Sequence, residues 1–165
     1  MALRIEDKKA IVAEVAEQVS SALSAAVADY RGITVNEMTS LREEARKSGV
    51  YLRVVRNNLA RLAVKGTEFE CLADALTGPL VLALSMDAPG ASAKLFKNFQ
   101  KDHKSFEVKN LVMAGELFGP EKLDDFAKIP TKDEAIAMLM SVMQAPVTKL
   151  ARTLNEVAKQ AEQAE

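Results

Sequence analysis

The feature that most constrains the fold of this chain is the order of its apolar segments. Four segments have the pattern of strands and two have the pattern of helices. In chain order they are a strand at 25–30, a helix at 35–47, strands at 50–55 and 80–84, a helix at 89–102 and a strand at 106–113. This order predicts an α+β fold, the ferredoxin-like split β-α-β domain.

Further elements are predicted around this core: helices at 8–22, 67–76 and 121–128, a short helix after 50–55, and an edge strand at 117–118. Thr34 and Glu37 form a capping box before the helix at 35–47. The last core strand needs a local irregularity to bring Phe106, Val108, Leu111 and Met113 onto one face. A doubly wound parallel sheet is the alternative. The α+β fold is favoured because the second and third strands are short and are joined by a compact helical segment.

Residues 49–66 carry four basic side chains and no acidic one, in a chain whose formal net charge is -1. The pattern of residues 49–66 predicts a strand, with Tyr51 and Arg53 on one side, followed by a helix. Asn57 or Asn58 can cap this helix, and Leu62 is predicted to face the core. Such a basic patch suits a nucleic-acid backbone, although solvated surface is an alternative reading. A helix N-terminus beside Arg56 suits a phosphate oxygen.

The positive charge of the chain is concentrated in its N-terminal part. The segment 1–66 contains 11 of the 22 Lys+Arg residues but only 8 of the 23 Asp+Glu residues. We therefore predict an RNA-binding face within this segment. Its predicted members are Arg4, Lys8, Lys9, Arg31, Arg53, Arg56, Asn57, Asn58, Arg61 and Lys65. With Tyr51 as its one aromatic residue, this face is expected to recognise phosphates and the shape of folded RNA.

The tail, residues 131–165, differs from the domain predicted at 1–130. It contains no glycine, begins with a second capping box at Thr131 and Glu134, and carries an apolar stripe at helical spacing. Pro146 predicts two helical segments with a break or kink near 145–146. We expect residues 132–144 to pack on the domain. The terminal stripe, predicted to bind a partner, is Val147, Leu150, Leu154, Val157 and Ala161.

Enzymatic chemistry is not indicated by the residue types. His103 is the one histidine and Cys71 the one cysteine, and no Gly-rich phosphate loop or metal-ligand spacing occurs. No cofactor is therefore predicted. No stretch has the pattern of a signal peptide or membrane span, which predicts a cytoplasmic protein without a membrane partner.

Several stretches resemble the bacterial large-subunit ribosomal protein ten family, the stalk-base proteins of the ribosome. They are MALRIEDKKAIVAEV, RGITVNEMTSLREEARKSGVYLRVVRNNLARLAVKGTEFECL and IPTKDEAIAMLMSVMQAP. The resemblance covers essentially the whole chain, and its most specific part is residues 51–67. Pro146 is a departure that bears on the direction of the tail helix.

This resemblance implies a noncatalytic function. The N-terminal domain would bind large-subunit rRNA beside large-subunit ribosomal protein eleven. The C-terminal helix would carry dimers of the acidic stalk protein, with a length that resembles a spine for two. The stalk would recruit GTP-bound translation factors, and members of the family can repress translation of their own messenger RNA.

Two rival functions stay open at this point. One is a small enzyme acting on a phosphorylated ligand, with Arg53 and Arg56 as an anion clamp. The other is a stand-alone coiled-coil RNA-binding adaptor that oligomerises through 131–165.

Overall fold

The structure is a computed structural model that describes residues 5–103 and 105–164, apart from the side chains of Asp74, Val157, Ala158 and residues 160–164. In chain order its elements are α1 (Ile5–Ser21), β1 (Ser24–Asp29), α2 (Val35–Lys47), β2 (Val50–Val54), α3 (Asn57–Val64), α4 (Leu72–Ala75), β3 (Leu80–Ser85), α5 (Ala91–Asp102), β4 (Glu107–Met113), β5 (Glu116–Phe118), a 3-10 turn (Pro120–Lys122), α6 (Leu123–Ala127) and α7 (Lys132–Ala164). The chain divides into two compact units between Ile129 and Pro130.

The sheet of the first unit confirms the predicted α+β class. Its strand order is β2-β3-β1-β4-β5, and every neighbouring pair is antiparallel. β1 and β2 run in the same direction with β3 between them, which is the split β-α-β arrangement. The alternative of a parallel sheet is therefore wrong. The continuous apolar runs of β1 and β3, a pattern common in parallel sheets, arise here because both faces of the sheet are covered.

Helices cover the sheet on both sides. α2, α5 and α6 pack on one face, where Phe96 and Phe106 are fully buried. α1, α3 and α4 pack on the other face, where Val15 and Leu72 are buried. In the described part of the chain, a ligand can therefore reach the sheet only at its ends and edges.

β4 contains the irregularity that the sequence predicted. Its ladder with β1 changes register between Val27 and Ala28, which makes Lys109 an extra residue in β4. Val108 and Leu111 are an odd number of residues apart, and strict alternation would put them on opposite faces. Because of the bulge, both belong to the cluster under α5.

Segment 57–76 differs from its prediction in three respects. α3 begins after Arg56, and neither Asn57 nor Asn58 caps it. Leu62 is 57% exposed instead of facing the core, whereas the smaller Ala60 is buried. The helix predicted over 67–76 is reduced to the four residues of α4, preceded by turns.

The second unit is a single helix, α7. Its predicted capping box is present: Thr131 N–H donates to the Glu134 carboxylate at 2.9 Å, and Glu134 N–H donates to the Thr131 hydroxyl at 3.4 Å. The helical backbone continues across Pro146, so the predicted break is wrong, while a kink stays a prediction. Pro146 removes the main-chain bond to the Val142 carbonyl, and its ring crowds that carbonyl, which is the physical reason for expecting a kink. Close by, the Thr148 hydroxyl donates to the Gln144 carbonyl at 3.1 Å.

Candidate nucleic-acid interface

Many of the residues predicted to bind RNA meet at one end of the sheet. β1 and β2 finish there and β3 and β4 begin there, because Asp29 pairs with both Leu80 and Glu107, and Val54 pairs with Val81. We call this the basic end, and define it by Tyr30, Arg31, Arg56, Asn57, Asn58, Gly78 and Lys109.

α1 brings further cations toward the basic end. The Ser21 hydroxyl lies 3.7 Å from Met86 Sδ, just past the far end of β3, and Tyr51 Oη donates to the Glu14 carboxylate at 3.1 Å. α1 therefore runs antiparallel to β2, and Lys8 and Lys9 lie in the turns nearest the basic end. Arg4, which was predicted to belong to the same cluster, lies outside the described residues.

A cleft of about 430 Å³ opens at the basic end. One wall is formed by residues 54–58 and the other by residues 78–80, and Tyr30 also lines it. The chain leaves β2 along one wall and enters β3 along the other. The sheet topology thus forms this cleft from segments that are well separated in the sequence.

Arg53 is held within the protein. Its guanidinium forms an ion pair with Glu14 of α1 and donates a hydrogen bond to Tyr51 Oη at 3.0 Å. Its side chain is 31% exposed. A charge already neutralised in this way adds little to the field that attracts a phosphate backbone. The structure therefore gives Arg53 a role in fastening α1 to β2, in addition to any contact that it makes with RNA.

Two more of the predicted residues support the chain near the cleft. Arg61 donates from Nε to the Ala73 carbonyl and from a terminal nitrogen to the Leu76 carbonyl, each at 2.9 Å. The Asn57 amide donates to the Gly78 carbonyl at 2.9 Å. These bonds satisfy carbonyls around the short helix α4. Arg61 and Asn57 therefore position the wall of the cleft.

Lys109 is a basic residue of this region that the sequence prediction missed. Its ammonium donates to the Thr77 carbonyl at 3.1 Å and lies 3.5 Å from Asp29, which also pairs with Arg31 at 3.8 Å. Gly78, with φ of +91°, lies between these cations, since a Cβ there would be 3.4 Å from Arg31 and 3.5 Å from Lys109. The available signal was the polar pair 109–110, which separates the apolar residues Val108 and Leu111 of the predicted strand.

Several of the predicted cations keep their charge open to solvent. Within the described residues, no hydrogen bond or ion pair involves the side chains of Arg56, Lys9 or Lys65, and all three are exposed. Lys8 is half-buried and Asn58 is exposed, likewise without such a contact in that part of the chain. Arg31 has a 70% exposed side chain despite its contact with Asp29. At the basic end, Arg56 and Arg31 are therefore the arginines whose charge is most open to an approaching anion.

The Glu14–Arg53 pair gives a prediction for pH. Hydrogen bonds from Arg53 and then Tyr51 hold the pKa of Glu14 below its ordinary value of 4.5. A folded-state pKa below the unfolded one means that ionised Glu14 stabilises the fold above the unfolded value. That contribution is lost as the pH falls through the folded value. We expect Glu14→Gln to lower the free energy of unfolding near neutral pH, with the difference from wild type shrinking below about pH 4.

Urea unfolding of both proteins at several values between about pH 7 and pH 3 measures this difference. Glu17→Gln, one turn further along α1, is the control. A Glu14→Gln difference that stays constant across this range would contradict the assignment.

The helix α7 carries a second surface, which is apolar. We call it the stripe, and its described members are Ile136, Met140, Met143, Val147, Leu150 and Leu154. They recur at alternating intervals of four and three residues, through Pro146, and are 49–73% exposed. At 1.5 Å per residue the stripe is about 27 Å long. Val157 and Ala161 continue the spacing, but their side chains lie outside the described part.

His103 and Cys71 do not form a catalytic arrangement with each other. His103 Nδ1 is 3.1 Å from Glu37, and its ring packs against Phe99. The helical pattern over 67–76 favoured core packing for Cys71, but Cys71 is exposed, and its thiol is 3.1 Å from the Gly115 carbonyl. Among the described residues no group of His, Cys, Asp or Glu is arranged to hold a metal ion.

The α+β unit gathers cations at one end of a covered sheet, and the second unit is a long helix with an exposed apolar stripe. Together they define a class of protein: a binding scaffold. Comparison with known proteins identifies the family within this class. A family model described as ribosomal protein L10 matches residues 4–101, and one described as ribosomal protein uL10 C-terminal region matches residues 129–164. The chain belongs to the uL10 family of large ribosomal subunit proteins.

Individual relatives agree with this membership. The large ribosomal subunit protein uL10 of Francisella tularensis subsp. mediasiatica (strain FSC147) is 84% identical over 161 residues, which cover 98% of this chain and 94% of the relative. The protein of the same name from subsp. novicida (strain U112) has the same identity and coverage. The one from subsp. holarctica (strain FTNF002-00 / FTA) is 83% identical with equal coverage.

Family membership confirms several of the sequence predictions. The chain is a component of the large subunit of the bacterial ribosome, and therefore of a cytoplasmic ribonucleoprotein that carries out translation. It is a structural protein, so the phosphorylated-ligand enzyme is wrong. Within residues 5–103 and 105–164, no helix has the length and apolar character needed to cross a membrane.

Proposed function

We propose that this protein forms the base of the ribosomal stalk. The first unit binds large-subunit rRNA through the basic end, beside large-subunit ribosomal protein eleven. The part of the stripe after Pro146, on α7, carries two dimers of the acidic stalk protein. These dimers recruit GTP-bound translation factors to the ribosome. The same RNA-binding side chains would bind the leader of the protein's own messenger RNA and repress its translation.

The observation that carries the proposal is the exposure of the stripe. Isolated helices are only marginally stable in water, and an apolar seam of this length on α7 would be covered by a partner in a stable assembly. Met143 and Val147, on either side of Pro146, are 73% and 72% exposed. The second family match, over residues 129–164, covers the same helix.

Charge supports an acidic partner on the terminal part of α7. Along the stripe, between residues 147 and 161, the chain contains Lys149, Arg152 and Lys159 against Glu156, and two further acidic residues follow at 162 and 165. The side chains of the four residues between 147 and 161 are exposed. A basic rim around an apolar seam steers an acidic partner and selects against a second copy of this chain.

RNA binding by the first unit is supported by the open cations. Arg56, Arg31 and Lys9 are exposed toward the basic end, and the covered sheet leaves its ends as the accessible surface. Lys65 is also exposed, but it follows the C-terminal end of α3, near the last turn of α1 and away from the basic end. The position of Lys8 toward the same end extends this surface along α1.

The alternative, a stand-alone coiled-coil adaptor, predicts self-association through α7. Size-exclusion chromatography with light scattering of the isolated full chain separates the two. We expect a monomer that gains mass only when the acidic partner is added. A dimer or larger homo-oligomer in the absence of any partner would favour the coiled coil.

A further inference from the structure

The cleft at the basic end has the composition of a site for a nucleobase. Val54, Val55 and Pro79 give its walls apolar surface, and Val54 is 40% exposed at the end of its strand. Tyr30, half-buried against the core, adds an aromatic side chain. Unpaired bases are recognised by stacking on aromatic side chains with cations nearby for the phosphate.

The wall opposite β2 is held by three side-chain donors. Asn57 bonds to the Gly78 carbonyl, Lys109 to the Thr77 carbonyl and Arg61 to the Leu76 carbonyl, at 2.9, 3.1 and 2.9 Å. A cleft formed before the ligand arrives loses little conformational entropy on binding. Lys109 and Arg61 therefore position the site from outside the cleft, and Asn57, which lines it, uses its amide nitrogen to hold the opposite wall.

Two polar side chains of the cleft remain uncommitted within the described residues. Arg56 and Asn58 are both exposed and line the cleft. The Arg56 guanidinium suits a phosphate, and the Asn58 amide offers both a donor and an acceptor to the edge of a base. The volume of about 430 Å³ lies within the range of small-ligand sites.

Charge continues on both sides of the cleft, which favours an RNA chain over a free nucleotide. Arg31 lies beside Gly78 on one wall, and the first turns of α1, with Lys8 and Lys9, lie toward the same end of the sheet. A phosphate backbone passing across the end of the sheet can reach cations before and after the cleft, whereas a single nucleotide can use only those inside it.

We propose that this cleft receives one unpaired nucleotide of the bound RNA, with its base against Tyr30 and its phosphate at Arg56. The inference rests on the proposed RNA-binding function and adds a base-stacking site to it. The sequence led us to expect recognition of phosphates and shape alone, because Tyr51 was the one aromatic residue in the basic stretch. The structure ties the Tyr51 hydroxyl to Glu14 and Arg53, and brings Tyr30 to the cleft from β1.

The test uses the full chain and a large-subunit rRNA fragment from the stalk base, with an abasic nucleotide placed at each unpaired position in turn. We expect one position at which the abasic substitution weakens binding of the wild-type protein about 5-fold to 150-fold, the range for loss of one stacked base. Because the change is made in the RNA, this measurement does not depend on the folding of any protein variant.

The same series is then measured with Tyr30→Leu, which keeps apolar bulk, and with Tyr30→Phe, which keeps the ring. The sensitive position should lose most of its effect in Tyr30→Leu and retain it in Tyr30→Phe. Circular dichroism and thermal unfolding establish that both variants fold.

Three results would overturn the inference. The first is an abasic series without a sensitive position, and the second is an abasic effect that persists fully in Tyr30→Leu. The third is displacement of the RNA by low concentrations of a free nucleoside monophosphate, because that result would assign the cleft to a small ligand. If the unmodified fragment does not bind at all, the proposed RNA-binding function fails as well. Salt-dependent binding without a sensitive position removes only the base site.

Discussion

Replacing Leu150 and Leu154 together with aspartate is expected to abolish co-purification with the acidic stalk protein. The two leucines lie in the stripe and are 62% and 63% exposed, so the change should leave the first unit folded. Each buried leucine contributes about 1.5–3 kcal/mol to an apolar interface, and each aspartate adds the cost of desolvating a charge. We expect affinity to fall by at least about a thousandfold.

The matched control adds the same two negative charges to the polar face of the same helix. Thr148→Asp with Asn155→Asp changes two exposed residues that lie well away from the stripe. This control should weaken binding only modestly, by reducing the attraction between a basic rim and an acidic partner. If the leucine double variant keeps its dimers, or if the control loses them equally, the stripe is not the docking surface.

Replacing Arg31 and Arg56 with alanine is expected to weaken RNA binding by about tenfold to a hundredfold for each residue, because hydrogen bonds to charged groups contribute about 1.5–3 kcal/mol. Each lost phosphate contact should also reduce the slope of log affinity against log salt concentration by about one. Filter binding of the rRNA fragment over a range of salt concentrations measures both quantities. Unchanged affinity and slope would remove the basic end from the interface.

Arg61→Ala is the informative comparison, because it removes the same charge from the same region. Arg61 donates to two carbonyls around α4, so its loss should lower thermal stability and weaken RNA binding through the wall of the cleft. The salt slope should change little. A slope reduction equal to that of Arg56→Ala would mean that Arg61 contacts phosphate directly.

The sequence predicted those parts of the fold that depend on local patterns. α2 has the predicted limits of 35–47, because the capping box of Thr34 and Glu37 marks its start and Gly49, with φ of +65°, follows its end. The order of strands and helices along the chain was enough to predict the sheet topology, because few compact topologies are compatible with that order. The stripe on α7 was visible for the same reason, because helical spacing is a local property.

The organisation of the basic end required tertiary structure. Arg53 appeared free within a stretch that lacks acidic residues, but its partner Glu14 comes from α1, which precedes that stretch by a strand and a further helix. Tyr30 and Lys109 reach the same end only because β3 and β4 start where β1 finishes. Leu62 was placed on the wrong face because the small Ala60 and Ala63 take the buried positions of α3.

The central claim is that one chain joins RNA and acidic dimers through separate units. Native mass spectrometry of the full chain, co-expressed with the acidic stalk protein and mixed with the rRNA fragment, tests it most directly. We predict a particle with one copy of this chain, one RNA and four copies of the partner. The double variant Leu150→Asp with Leu154→Asp should lose the partner but keep the RNA. The double variant Arg31→Ala with Arg56→Ala should lose the RNA but keep the partner. Particles that hold either RNA or partner but never both would contradict it.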